Sequence, residues 1–220
     1  MKSSREVVGS ARAILFDMDG VLIDSEPTHE KAIVALSSEL GETLSDHTII
    51  NSFKGAPEKF MAGRLIELYP GQSSTADELI RRKVDLYARL FHHVTLIPGA
   101  EEFVEESHAA GLKLGLTTSA SRSTQELTFE TFGFAPYFDA IVTGEDITKG
   151  KPDPEPYLTT ARKLGIDAKD CIVIEDSING VRSGHAAGCV VIAMTTTFPR
   201  EALLEAGADH VIDSFSELRI

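Results

Sequence analysis

Two carboxylates stand two residues apart in Phe16-Asp17-Met18-Asp19-Gly20, directly after the apolar run Ile14-Leu15-Phe16. Side chains at i and i+2 point the same way on an extended chain, so Asp17 and Asp19 are expected to converge at the carboxyl end of a strand. Gly20 then lets the chain turn sharply. Carboxylates this close repel unless a cation sits between them or one is protonated. Taken alone, an acidic pair in a turn reads equally well as a helix cap. A second acidic pair, Glu175-Asp176, follows another apolar run, Cys171-Ile172-Val173-Ile174. Capping by Asp176 or Ser177 accounts for one carboxylate there. It does not account for acidic pairs at the ends of two separate apolar runs, whereas oxygen ligands around Mg²⁺ account for both.

A cation and a set of hydroxyls complete the candidate chemistry. Lys151 opens Lys151-Pro152-Asp153-Pro154-Glu155-Pro156, where three prolines stiffen the backbone. A lysine anchored there can act as a fixed point charge beside phosphate and carboxylate. Lys149, two residues earlier, is the alternative for that role, and a surface loop lysine is the plainer reading of either. Leu116-Thr117-Thr118-Ser119 ends a further apolar run in hydroxyls. Hydroxyls and backbone N–H groups at a strand end can hold phosphoryl oxygens.

These groups converge only if the runs that carry them lie side by side. Ala13–Phe16, Leu112–Thr117, Ala140–Val142, Cys171–Ile174, Val190–Ala193 and His210–Ile212 are short and apolar at consecutive positions, the pattern of strands covered on both faces. Helical patterns lie between them: Ala100–Ala110, Pro154–Leu164, Ile178–Ala187 and Pro199–Glu205, each followed by a glycine stop. This alternation predicts an α/β fold with a Rossmann-like parallel sheet and right-handed crossovers. Residues 25–93 break it. Glu26–Leu40, Ala56–Tyr69 and Thr75–His92 read as amphipathic helices, punctuated by Gly41, Gly55 and Pro70-Gly71. The chain is therefore expected to divide into an α/β core, residues 1–24 and 94–220, and an inserted helical block, residues 25–93. An insertion there would sit above the carboxyl ends of the strands, where open α/β sheets bind ligands.

Composition excludes several classes. A formal net charge of −13 over 220 residues argues against nucleic acid and against an anionic membrane surface. No stretch approaches the ~20 apolar residues of a membrane helix. Met1–Ser10 is polar and carries no apolar signal segment, so a cytoplasmic protein is expected. Cys171 and Cys189 lie in apolar runs and read as buried thiols, not a redox pair.

With Asp17-Met18-Asp19-Gly20-Val21, Thr118-Ser119, Lys151-Pro152 and Glu175-Asp176-Ser177 with Asn179-Gly180 in order, each at a strand end, the chain resembles the haloacid dehalogenase superfamily from about Arg12 to Ile220. It is most similar to the branch that contains β-phosphoglucomutase, phosphoglycolate phosphatase and small sugar-phosphate phosphatases. The resemblance implies a nucleophilic Asp17 that forms an aspartyl-phosphate, and Asp19 as general acid and base. It implies Mg²⁺ held by Asp17, Asp176 and the Asp19 carbonyl, with Glu175 a direct ligand or just behind one. Thr118, or its neighbour Thr117, would bind the phosphoryl group together with Ser119 and Gly20, and Lys151 would offset the charge. The helical block would be a cap, where His29 and Lys83 help couple closure to chemistry or else lie on an exposed helix face.

Phe53-Lys54-Gly55-Ala56-Pro57-Glu58 lacks the arginine that the mutase pattern places after this glycine, leaving Lys54 as a stand-in. A Mg²⁺-dependent phosphatase acting on a small phosphorylated metabolite is therefore expected, as a monomer or weak dimer. A phosphomutase is the alternative, with a non-catalytic binding protein behind it. A dehalogenase is disfavoured because that branch lacks the second Asp. Specificity is expected from Glu26, His29, Lys54, Lys83 and Arg122.

Overall fold

The computed structural model describes Val8, residues 11–54, Ala56, residues 58–71 and residues 73–220. Six parallel strands form one sheet: β1 (Ala13–Phe16), β4 (Lys113–Thr117), β5 (Ala140–Val142), β6 (Cys171–Glu175), β7 (Val190–Met194) and β8 (His210–Ile212). Their order is β5-β4-β1-β6-β7-β8. All four residues of β1 and all five of β6 are buried, as continuous apolar runs require of strands covered on both faces. The short strands β2 (Ile23–Asp24) and β3 (Thr95–Leu96) form a separate two-stranded ladder.

Strand register is what positions the chemistry. Phe16 pairs with Leu116 on one side and with Ile174 on the other. The next residue on each strand is Asp17, Thr117 or Glu175, so these three emerge at one level of the sheet. The strand order also reverses here, since the chain passes from β1 to β4 on one side and later returns to β6 on the other. Open α/β sheets form their ligand crevice at such a reversal, outside the carboxyl ends of the strands.

Helices cover the sheet: α5 (Ala100–Ala109), α6 (Arg122–Phe132), α7 (Glu155–Leu164), α8 (Ile178–Ala186) and α9 (Arg200–Ala206). The sequence pattern finds four of these within one or two residues at each end and misses α6. That helix buries Gln125, Thr128 and Phe129, so polar residues at core positions hide its period. Its Ser121 cap accepts from the Thr124 N–H, and Gly133 ends it in the left-handed region. Cys171 and Cys189 lie in the core as free thiols, and burial pushes them up to about 11 and about 12.

The described chain clusters into two compact units. One comprises the described residues up to Asp24 together with Leu96–Ile220, and the other is Ser25–Thr95. The second is helical: α1 (Glu26–Glu39), α2 (His47–Asn51), α3 (Glu58–Leu68) and α4 (Ala76–Leu90). Five-residue α2 is too short to show a period, and Asp46 caps it by accepting from the Thr48 N–H. Ile33, Leu36, Ile50, Met61, Leu65 and Leu79 form the unit's own core. The expected helix Ala56–Tyr69 is Glu58–Leu68 here. The expected break at Gly55 lies outside the described residues.

Gly115 sits mid-strand in β4, where a Cβ would come 2.5 Å from Thr160 Cγ2 and 3.0 Å from Leu15 Cδ2. Gly115→Ala is therefore expected to cost about 1–3 kcal/mol by overpacking. Urea unfolding should show a lower midpoint with an unchanged slope. An unchanged midpoint would mean that α7 can lift from the sheet at no cost.

Candidate active site

Lys151 ties the strand ends together. Its Nζ donates to Asp17 Oδ1 at 2.6 Å, to Glu175 Oε1 at 2.7 Å and to the Thr117 carbonyl at 3.0 Å. An ammonium has three protons, and all three are placed. Lys149 takes no part: its side chain is largely exposed, with Nζ 3.7 Å from Asp153. Asp17 itself begins the turn, since its N–H still donates to the Ile174 carbonyl while the chain bends at Met18. The Met18 carbonyl accepts from the N–H groups of Val21, Leu22 and Ile23. Asp17 and Asp19 are thus not successive residues of one extended strand, as the i, i+2 reading supposes. The next helix has Ser25 at its N-cap.

Glu175 is the other hub. Its Oε1 accepts from Lys151 and from the Tyr157 hydroxyl at 2.8 Å. Its Oε2 accepts from the Asp176 N–H, the Ser177 N–H and the Ser177 hydroxyl, each at 3.0 Å. Ser177 caps α8 by accepting from the Gly180 N–H. Backbone closes tightly over these carboxylates. A Cβ on Gly180 would overlap the Glu175 carboxylate, and one on Gly20, at φ +74°, would overlap the Asp176 carboxylate. Thr196 donates to the Gly20 carbonyl at 2.6 Å, and Thr197 lies beside Asp176 and works against the rise of its carboxyl.

Oxygens of Asp17, Glu175 and Asp176 lie within 4.8 Å of one another, and all three residues are buried. Burial alone would raise Glu175, but the Lys151 charge and its hydrogen bonds hold it below the usual carboxylate range. In Asp17 burial wins over Lys151, with Glu175 and Asp19 adding repulsion, and the carboxyl is pushed up to about 7. Burial, reinforced by the Glu175 and Asp17 charges, raises Asp176 well above its usual range. Burial works against the Lys151 ammonium, but Asp17 and Glu175 hold it charged and raise its pKa. One ammonium among three buried carboxylates leaves negative charge uncompensated. The all-oxygen donor set suits a hard divalent cation.

Comparison with known proteins decides the family. The family model for haloacid dehalogenase-like hydrolases matches residues 14–194. The chain belongs to the haloacid dehalogenase-like hydrolases. It is 32% identical over 210 residues to a validoxylamine A 7'-phosphate phosphatase of Streptomyces hygroscopicus subsp. limoneus, covering 94% of this chain and 96% of the relative. It is 30% identical to hexitol phosphatase B of Escherichia coli (strain K12), covering 85% and 83%. The crystal structure of a HAD hydrolase, family IA, variant 3, from Entamoeba histolytica HM-1:IMSS superposes with a TM-score of 0.84 at 27% identity, covering 95% and 96%.

The remaining candidate residues of this haloacid dehalogenase-like hydrolase divide between its two units. Thr118 follows β4. Its N–H donates to the Val142 carbonyl, and its hydroxyl accepts from the Ala120 N–H at 3.0 Å. The Thr117 hydroxyl turns into the core against Thr160 at 2.7 Å. Ser119 is exposed. Arg122 instead clamps a turn, with its guanidinium on Asp146 at 2.6 Å and Thr143 at 3.2 Å.

In the second unit, Lys83 is buried between His29 Nδ1 at 2.8 Å and Glu58 Oε1 at 2.6 Å. His29 stacks on Tyr87 with ring centroids 4.2 Å apart. Lys83 is thus not on an exposed helix face. Lys54 is half-buried in the turn after α2, and Glu26 is half-buried in the first turn of α1.

Sequence reasoning missed Tyr157, Thr196 and Thr197. The hydroxyl run Thr195-Thr196-Thr197 after β7 parallels the one after β4 and would have marked the threonines. Tyr157 reads as a core aromatic on α7. Its phenol, raised far above its ordinary value first by burial and then by Glu175, stays a neutral donor.

Alanine favours a helix interior over glycine by about 1 kcal/mol. Gly180→Ala is nevertheless expected to lower Tm, because the new methyl group collides with a carboxylate fixed by five donors. A rise in Tm would show that Glu175 is free to move aside.

Proposed function

We propose that this chain is a Mg²⁺-dependent phosphatase that hydrolyses a small, sugar-phosphate-like metabolite through an aspartyl-phosphate on Asp17. The observation that carries this reading is the Lys151 ammonium shared by Asp17 and Glu175 beside Asp176. An aspartate is a poor nucleophile toward a phosphate dianion until positive charge reduces the repulsion between them. Asp17, Asp176 and the Asp19 backbone carbonyl would hold Mg²⁺. Glu175, with both oxygens engaged by five donors, would brace Lys151 and the start of α8 beside it. Bound Mg²⁺ would supply charge neutralisation on the phosphoryl oxygens.

A carboxylate oxygen of Asp17 attacks phosphorus, and the ester P–O bond breaks as Asp19 donates its proton to the leaving oxygen. Asp19 then takes a proton from water, whose oxygen attacks phosphorus. The bond to Asp17 breaks and inorganic phosphate leaves. Thr118 and Ser119, with backbone near Gly20, would bind the phosphoryl oxygens. Thr118 is favoured over Thr117 because the latter's hydroxyl is engaged by Thr160 in the core. The helical unit would act as the cap, with His29, Lys54 and Lys83 reading the substrate. Specificity would then be set in a unit whose sequence differs from the catalytic motifs in kind.

Phosphatase is favoured over phosphomutase because both curated relatives named above are phosphatases. The absence of the mutase arginine after Gly55 adds support, since that arginine would meet a second phosphate.

Asp17→Asn is expected to cut hydrolysis of p-nitrophenyl phosphate at least about a thousand-fold. Undiminished turnover in that variant would remove Asp17 as nucleophile. Chelation with EDTA is expected to abolish activity, and added Mg²⁺ to restore it; full activity in EDTA would refute the metal assignment. A phosphate-release screen over sugar and polyol phosphates tests the substrate class. Conversion of β-glucose 1-phosphate to glucose 6-phosphate, with a bisphosphate activator and no phosphate release, would replace the phosphatase by a mutase.

A further inference from the structure

We propose that Tyr157 is a positioning residue of the reaction, holding Lys151 and Glu175 in the geometry that Asp17 requires. Tyr157 is among the largest fully buried side chains of the protein. It belongs to the same buried cluster as Leu15, Val173, Val181 and Ala161. A phenylalanine would fill that space without burying a hydroxyl, and a buried hydroxyl costs free energy unless it finds a partner. The partner here is a charge: the hydroxyl donates to Glu175 Oε1 at 2.8 Å. The face of the same ring lies against the Lys151 ammonium, with Nζ 5.0 Å from its centroid. That distance is within cation–π range, and in a buried setting the attraction is worth more than at a surface.

The phenol and the ammonium therefore meet at one oxygen. Glu175 Oε1 accepts from both, while Oε2 is occupied by the three donors of Asp176 and Ser177. Removing the hydroxyl would leave Lys151 as the sole donor on Oε1. The carboxylate could then rotate about its remaining anchors, and the ammonium bridging it to Asp17 would follow. Tyr157 touches neither Asp17 nor Asp176 in any hydrogen bond described, so it acts through Lys151 and Glu175. Chain connectivity supports the same role. Lys151 and Tyr157 flank a proline-rich segment, Pro152-Asp153-Pro154-Glu155-Pro156, so α7 anchors the loop that delivers the lysine.

The kinetic consequence rests on the phosphatase reading, whereas the clamp itself does not, and Tyr157→Phe separates the two. In wild-type protein, ¹H–¹⁵N spectra should show a slowly exchanging Lys151 ammonium, and ¹H spectra a downfield Tyr157 hydroxyl proton, with a nuclear Overhauser contact between the two. Absence of both signals from the wild-type protein would overturn the proposal without any variant. In Tyr157→Phe the ammonium signal should broaden through faster exchange. kcat for p-nitrophenyl phosphate should fall about ten-fold with KM nearly unchanged, the pattern of a misplaced catalytic group. Orthovanadate, which mimics the five-coordinate phosphorus, should bind correspondingly more weakly.

A lower Tm with an unaltered ammonium signal and kcat within two-fold of wild type would reduce Tyr157 to core packing and overturn the proposal. If wild-type protein releases no phosphate from any ester, yet the ammonium signal broadens in Tyr157→Phe, the phosphatase reading fails while the clamp stands.

Discussion

Lys151 places one ammonium against two carboxylates and a carbonyl at the carboxyl end of the central strands. Taking each of those charges out of water costs several kcal/mol even after relaxation. The fold offsets that cost with geometry. Phe16, Leu116 and Ile174 are in register, so Asp17, Thr117 and Glu175 arrive together without any loop having to search for the arrangement. Lys151 comes from a segment outside the sheet and joins them. Removing the ammonium would leave Asp17 and Glu175 buried and facing each other, the costly half of a broken ion pair.

That arrangement explains features that are otherwise unconnected. Gly20 and Gly180 stand where any side chain would strike Asp176 or Glu175, so the absence of a Cβ is a requirement of the charges. Ser177 serves two ends at once, capping α8 and donating to Glu175. Two carboxylates that share the same lysine are pushed in opposite directions. Glu175, with five donors, is held ionised, while burial drives Asp17 upward. Under the proposed function, Glu175 would serve as the scaffolding carboxylate and Asp17 as the one that a bound cation keeps ionised.

The six strands of the main sheet were legible in the sequence, because a strand buried on both faces has no polar positions to interrupt it, whereas the two-residue strands β2 and β3 were too short to show a pattern. Ala13–Phe16, Ala140–Val142 and His210–Ile212 need no adjustment, and the other three shift by one residue at an end. Helix α6 was illegible for the opposite reason, since Gln125 and Thr128 face the core where a periodic pattern looks for apolar residues. Within the candidate site, the groups that end strands could be read in order along the chain. Two things could not. The bend at Met18 depends on three N–H groups converging on one carbonyl, which no spacing rule reports. Tyr157 is indistinguishable in sequence from a packing aromatic, because its function lies in a hydroxyl contact across 18 residues of chain.

The same distinction separates the chemistry from its substrate. Three of the four candidate motifs sit at strand ends, and the sheet makes strand ends neighbours whatever lies between them in sequence. The helical unit has no such rule. Its buried lysine, Lys83, finds Glu58 across 25 residues and His29 across 54, and each pairing depends on how helices pack. Lys83 therefore reads in sequence as a free cation available to an anion. In the folded unit its charge is already shared with a carboxylate. In the proposed cap role, a substrate would meet this pair with the lysine's charge already shared, which offers a second phosphate less than a free ammonium would.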